Sequence, residues 1–448
     1  MELNGKLERK LGLFPVVNIV VANIVGAGIF TTTGYLMGYL GNAWLMLILW
    51  IIGGLIAFCG ALSFGELGAN FPEAGGEYIF ISKLFHPLPG FLSGWLSLIV
   101  GFSAPIAASA IGFSKYFVWA FPDIQTWLLT DRIISNDLFS KILAILIIII
   151  FTFIHSRGII FGAKIQNWLT ILKIVLIVGL IATGFTIGNG SIDNLTGNSL
   201  FSYGFKDWKP IGLSLLFVMF AYSGWNAATY IGSEIKNPAK IIPRSLLIST
   251  GIVLVLYFLL NLFFVYAIPP EKIIDEPEIG GLAAGLAFGK TAETVISLLI
   301  SFALFSSLSS SIILGPRVYY SMAKQGYFFS FAAKIHSRFG VPYASVLVQG
   351  LLAIVMVLSG TFEQILIYMG FSLGIFPIIA VLGIFKLRKS GKSTLKMPGY
   401  PYVQIIFILS GILMLILSFL ERPYESLVAI LTALSGIPFF YWFKRKLN

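Results

Sequence analysis

Apolar runs long enough to cross a bilayer follow one another from Phe14 to Phe443, with only short polar connections between them. A spanning helix needs about 20 mostly apolar residues. Backbone within lipid must satisfy its own hydrogen bonds, so such runs can only be helices. The candidate spans are Phe14–Met37, Ala43–Leu67, Pro89–Ala120, Leu138–Ile154, Gly162–Ile187 and Ile211–Ile231, then Ser245–Ile268, Thr291–Met322, Tyr343–Leu358, Gln364–Phe385, Val403–Leu420 and Ser426–Phe443. The chain is therefore expected to be an all-α polytopic membrane protein of about 12 transmembrane helices. Charged residues make up 11% of it, against about 25% in a soluble domain, so lipid has to serve as the solvent. No connection is long enough for a soluble domain; the longest are Phe121–Asp137, Gly188–Pro210 and Pro269–Lys290.

The charges fix an orientation. With the N-terminus in the cytoplasm and the spans alternating, the outer side takes only Arg132, Lys141, Lys206, Lys209, Lys272, Lys290 and Arg422 of the 30 Lys and Arg residues. Lys115 and Lys173 lie within spans, and all the others fall inside. That is the positive-inside bias, and a one-span error would scramble it. Both termini are expected in the cytoplasm, with the chain in the plasma (inner) membrane. The net charge of +11 is thereby a topology signal, and nucleic acid is excluded as a partner. The N-terminal stretch runs straight into the first span without a small-residue cleavage site, so no removable signal peptide is expected. The single cysteine, Cys59, leaves the redox compartment undefined.

Two spans carry interruptions near mid-depth. The first contains Asn23-Ile24-Val25-Gly26-Ala27-Gly28-Ile29-Phe30, and the sixth Phe220-Ala221-Tyr222-Ser223-Gly224-Trp225-Asn226. Paired glycines weaken a helix, and unwound backbone is tolerated in a membrane only where protein buries it or it lines a cavity. Freed N–H groups at the start of a half-helix suit an anion, and freed carbonyls at the end of one suit a cation. Close packing through small residues is the alternative for the first interruption. Two interrupted helices five spans apart point to an inverted repeat with the substrate between them. Spans one to five and six to ten would be the repeats, with two helices added. Amides facing a carboxylate and carbonyls facing an ammonium describe a zwitterionic α-amino acid.

The segments GAGIF, SFGELGANFPEAGGEYIF at Ser63–Phe80, FAYSGWN at Phe220–Asn226, EIKNPAKIIPRS at Glu234–Ser245 and GPRVYYSMAKQGYFF at Gly315–Phe329 resemble the amino acid–polyamine–organocation (APC) superfamily in order and spacing over roughly Phe14–Arg388. FAYSGWN is most similar to its L-amino-acid-transporter branch. The resemblance implies a LeuT-type 5+5 inverted repeat (14–187 and 211–385, with 403–443 as the two additional helices) and alternating access. It places the substrate carboxylate on amides of the Gly26-Ala27-Gly28 segment, those of Ala27 and Gly28 foremost. The ammonium falls on carbonyls of Ile24, Phe220, Ala221 and Ser223, with the Phe220 ring as a lid and Asn226 near the substrate side chain. The first motif often reads Gly-Ser-Gly in the family; here Ala27 replaces the serine, so a hydroxyl contact is lost and the amide contact kept. Eukaryotic members of the branch join a heavy chain through a cysteine after the third span. Phe121–Asp137 has none, so no such partner is expected.

Lys173 lies eleven residues beyond Gly162, roughly 16 Å into the fifth span at 1.5 Å per residue. An intramembrane charge is costly and marks function. By the resemblance its ammonium stands in for a sodium ion, bridging the first span and hydroxyls of the eighth, where Ser309 and Ser310 are nearest the expected depth among Ser306, Ser307, Ser309, Ser310 and Ser311. Glu66 and Glu234, at inner helix ends, are read either as partners of Arg or Lys in an inner gate or as solvated charges. His86, His155 and His336 are too scattered for a metal cluster, no nucleophile-elbow, Walker or HExxH motif occurs, and no cofactor is expected. The sequence thus reads as a sodium-independent α-amino-acid carrier, by exchange or proton symport. A polyamine carrier would want carboxylates within spans. A channel or sensor would want a continuous polar pore, and a membrane-embedded enzyme convergent His or acidic residues.

Overall fold

A computed structural model describes residues 7–121, 136–157, 159–196, 209–336, 339–360 and 362–447. Residues 122–135 of the expected loop Phe121–Asp137 and 197–208 of Gly188–Pro210 lie outside them. Eleven helices among the described residues are long and apolar enough to cross a membrane: Leu13–Leu40, Ala43–Asn70, Pro87–Ala120, Asp137–Ser156, Lys164–Thr186, Lys209–Glu234, Pro238–Ala267, Lys290–Lys324, Glu363–Lys389, Tyr402–Glu421 and Pro423–Leu447. Tyr343–Ser359, with 17 residues, is the ninth span of the sequence reading. Helix starts follow local chemistry. The Asn42 side chain accepts from Leu45 N–H at 2.9 Å, and Pro87, Pro238 and Pro423 occupy first-turn positions, where no amide donor is needed.

The first, third, sixth and eighth spans form the buried centre, while the fourth, fifth, eleventh and twelfth are peripheral. Their outward residues stay apolar: Leu409, Leu413, Ile416 and Leu420 on the eleventh, Trp168 and Val175 on the fifth. So wide an apolar exterior is stable only against lipid.

The stretches read as loops hold short helices, Asp193–Thr196, Pro270–Ile273 and Ile279–Phe288. Ile279–Phe288 lies within Pro269–Lys290, too short to span at 1.5 Å per residue. Just before it, Asp275 N–H donates to Gly34 O of the first span (3.0 Å), and within it Gly280 N–H donates to the Tyr116 hydroxyl of the third span (3.1 Å). Burial pushes the neighbouring Glu278 carboxyl up to about 7, with Glu276 adding to the shift and Lys115 opposing it.

Candidate functional site

The first span breaks at its glycines. The helix Leu13–Ile24 ends, Val25 takes ψ 85° and Gly26 ψ −157°, and a new helix runs Ala27–Leu40. Ala27 and Gly28 therefore open a helix whose leading N–H groups have no acceptor within it, the geometry that suits an anion. Gly28 is also a packing requirement. A Cβ there would sit 2.7 Å from Ala221 Cα and 3.0 Å from the Phe220 ring, a backbone-to-backbone approach that only glycine allows.

The sixth span breaks in the same manner. The helix Lys209–Tyr222 stops, Gly224 turns the chain at φ 95°, and a 3-10 helix continues over Ala227–Glu234. A Cβ on Gly224 would lie 2.9 Å from the Asn23 carbonyl carbon, so the two breaks abut. The Tyr257 hydroxyl of the seventh span ties them together, 2.8 Å from Ile24 O and 3.0 Å from Ala221 O. Phe220 O accepts from Ser223 N–H at 2.9 Å. Each carbonyl oxygen carries two lone pairs, so these bonds leave room for an ammonium.

Lys173 is fully buried, and its ammonium braces the first break. It donates to Val25 O, to the Ser307 hydroxyl at 2.8 Å and, at 3.5 Å, to Ala22 O. The serine involved is Ser307, not Ser309 or Ser310. At 3.6 residues per turn, Ser307, Ser310 and Ser311 share a helix face. Ser310 Oγ bonds Ile19 O (3.2 Å), and Ser311 Oγ accepts from Asn23 (3.3 Å), both lower on the first span. Ser309 points away, to His155 Nε2 at 2.8 Å.

Both acidic helix ends are paired. Arg317 grips Glu234 through Nε (3.0 Å) and Nη2 (3.1 Å), with both side chains buried. Arg388 does the same to Glu66 at 2.8 and 2.5 Å, joined by Met397 N–H at 2.9 Å. Lys10 and Leu11 N–H groups both donate to Glu234 O at 2.9 Å, so the N-terminal segment is fastened to the same point. Of the two sequence-level options, solvated charge gives way to ion pairing.

A cavity of ≈ 100 Å³ lies beside the second break. Phe220, Ser223 and Asn226 line it, with Asn23 of the first span and Phe102, Leu373 and Phe376 of the third and tenth. The third span carries a π-helical turn, Ser97–Gly101, at this wall, where such bulges often mark function. Ile24, Gly26, Ala27, Gly28 and Ala221 are not part of the lining; Gly28 is packed behind the Phe220 ring. The eleventh span, read from sequence as an addition, supplies Phe407, Ser410, Gly411 and Met414.

The cavity is also lined by Glu77, a residue of the SFGELGANFPEAGGEYIF segment to which the sequence assigned no role. Gly75 and Gly76 take φ 128° and 54°, and a Cβ on Gly76 would strike the Tyr230 ring. This turn places Glu77 on Asn226 Nδ2 (2.7 Å) and the Tyr230 hydroxyl (2.6 Å). Burial pushes its carboxyl up, and those two bonds hold it down. Tyr257 and Tyr230 were equally unassigned, and Ser307 was one of five candidate serines; the available signal was a polar group amid an apolar run.

The model of the amino acid permease family matches residues 11–438. The chain is 27% identical over 451 residues to the serine/threonine exchanger SteT of Bacillus subtilis (strain 168), covering 99% of each chain. It is 26% identical over 440 residues to the cystine/glutamate transporter of Homo sapiens, covering 98% of this chain and 86% of that one. To the b(0,+)-type amino acid transporter 1 of Mus musculus it is 26% identical over 444 residues, covering 98% and 88%. With two broken helices tied at the Tyr257 hydroxyl and a family match along almost its whole length, the chain belongs to the amino acid permease family, whose members are carriers rather than enzymes.

Proposed function

We propose that the protein is a sodium-independent secondary carrier of α-amino acids that works by alternating access, as an exchanger or a proton symporter. The observation that carries this is the tie between the two breaks: the Tyr257 hydroxyl joins Ile24 O to Ala221 O, beside a helix that opens at Ala27. The substrate carboxylate takes the amides of Ala27 and Gly28, with Gly26 supplying the open backbone. The ammonium takes carbonyls of Ile24, Phe220, Ala221 and Ser223, and the side chain extends toward Asn226. Lys173 occupies the place of a cation, which is the ground for sodium independence. Two breaks five spans apart support a 5+5 repeat of residues 14–187 and 211–385. The basic loops support cytoplasmic termini and a plasma (inner) membrane location, and a loop 121–137 without cysteine supports a carrier free of a disulfide-linked heavy chain.

The relatives' names include exchangers and transporters of amino acids, which favours this reading over a polyamine carrier. Polyamines have no carboxylate to engage the Ala27–Gly28 amides. Reconstitution tests it: proteoliposomes should take up labelled α-amino acids without sodium, and methyl esters, amides and decarboxylated amines should compete poorly. Strict sodium dependence, or competition by putrescine with none by neutral amino acids, would overturn it. Accumulation driven by a pH gradient separates symport from exchange.

A further inference from the structure

Glu77 is the only Asp, Glu, Lys, Arg or His among the described residues that line the cavity. It is 6% exposed, and each carboxylate oxygen accepts one short hydrogen bond, from Asn226 Nδ2 at 2.7 Å and from the Tyr230 hydroxyl at 2.6 Å. Both donors are neutral. The carboxylates at the inner helix ends, Glu66 and Glu234, are each paired with an arginine, whereas the side-chain donors to Glu77 are Asn226 and Tyr230. The Tyr230 ring is held edge-on by Phe102 at 5.0 Å, and Asn226 Nδ2 also reaches the Tyr230 hydroxyl at 3.0 Å, so the carboxylate is fixed in place. Each of its oxygens retains a lone pair for a further donor. A structural brace for Asn226 alone would need only one acceptor, whereas Glu77 sets both of its oxygens on residues that line the cavity.

We propose that Glu77 is the side-chain selector of the transport site: a fixed carboxylate that admits amino acids with neutral, hydrogen-bond-donating or cationic side chains and rejects anionic ones. This rests on the α-amino-acid reading of the two breaks, the second of which borders the cavity through Phe220, Ser223 and Asn226. The zwitterionic part of every substrate is the same, so discrimination must come from the wall the side chain meets, and a like charge facing a like charge there is disfavoured.

The test uses the whole protein in proteoliposomes at neutral pH, with a panel of labelled neutral amino acids as reporters. Competitors are the isosteric pairs aspartate and asparagine, glutamate and glutamine. In the parent, each amide should compete at least about tenfold better than its acid. In Glu77→Gln that ratio should shrink to about threefold or less, whatever happens to the absolute rate. A merely structural role would lower uptake of all substrates together and leave the ratio unchanged. A parent that accepts aspartate or glutamate as readily as the amides overturns the proposal without any variant, which covers failure of Glu77→Gln to fold. A parental preference that survives in Glu77→Gln also overturns it while leaving amino-acid transport standing. Absence of uptake for every amino acid overturns the transport reading and the selector with it.

Discussion

Replacing Lys173 by methionine keeps the stem volume and removes the ammonium, so it isolates the brace on the first break. Two bonds matter, those to Val25 O and to the Ser307 hydroxyl; the third partner, Ala22 O, is at 3.5 Å. Hydrogen bonds from charged groups are worth about 1.5–3 kcal/mol each, giving a gross figure of about 3–6 kcal/mol. Two effects reduce it. Ser307 already donates to Val25 O at 2.6 Å, so that carbonyl is not orphaned, and an apolar side chain avoids the burial cost of a charge. A net loss of about 2–3 kcal/mol in favour of the unwound Val25–Gly26 geometry corresponds to about 30- to 150-fold in rate. The assay is sodium-free uptake into proteoliposomes, alongside thermal unfolding in detergent to establish that the variant is folded. Lys173→Met should lose uptake on that scale while remaining monodisperse. Uptake within threefold of the parent would refute the role of the ammonium, as would restoration of Lys173→Met by added sodium alone if the parent ignores sodium.

Gly28→Ala places a methyl group 2.7 Å from Ala221 Cα; overpacking of this kind costs about 1–3 kcal/mol, and uptake should fall by roughly tenfold or more, with parental uptake counting against the close approach. Tyr257→Phe removes the hydroxyl that links Ile24 O and Ala221 O, a loss of about 1–2 kcal/mol, read as a roughly 5- to 30-fold fall in uptake by a folded protein; equal rates would show that the tie is idle. Glu278, raised from 4.5 to about 7, binds its proton more tightly when folded. Its contribution is fully present below about pH 4.5 and is lost as pH rises through about 7. The melting temperature should decline across that window, Glu278→Gln should flatten the decline, and an unchanged profile in the variant would remove Glu278 as its source.

The spans were legible in the sequence because each depends on local quantities. A run of about 20 apolar residues is a helix in lipid whatever surrounds it, and loop charge sets its direction. The two breaks were legible for the same reason: Gly26, Gly28 and Gly224 weaken helix locally. Lys173 could be placed at depth by counting residues. What it touches could not. The choice of Ser307 over Ser309 and Ser310 depends on the rotation of the eighth span about its axis, which packing against the first span sets, and neighbouring serines look alike in one dimension. Tyr257 joins two backbones far from it in sequence, and the eleventh span reaches the cavity only through its tertiary contact with the sixth. Glu77 is the clearest case. Outside any span, a carboxylate after two glycines looks like a loop charge; only the fold turns it inward, because the Gly75–Gly76 turn packs against Tyr230 and leaves the carboxylate no partner but the cavity wall.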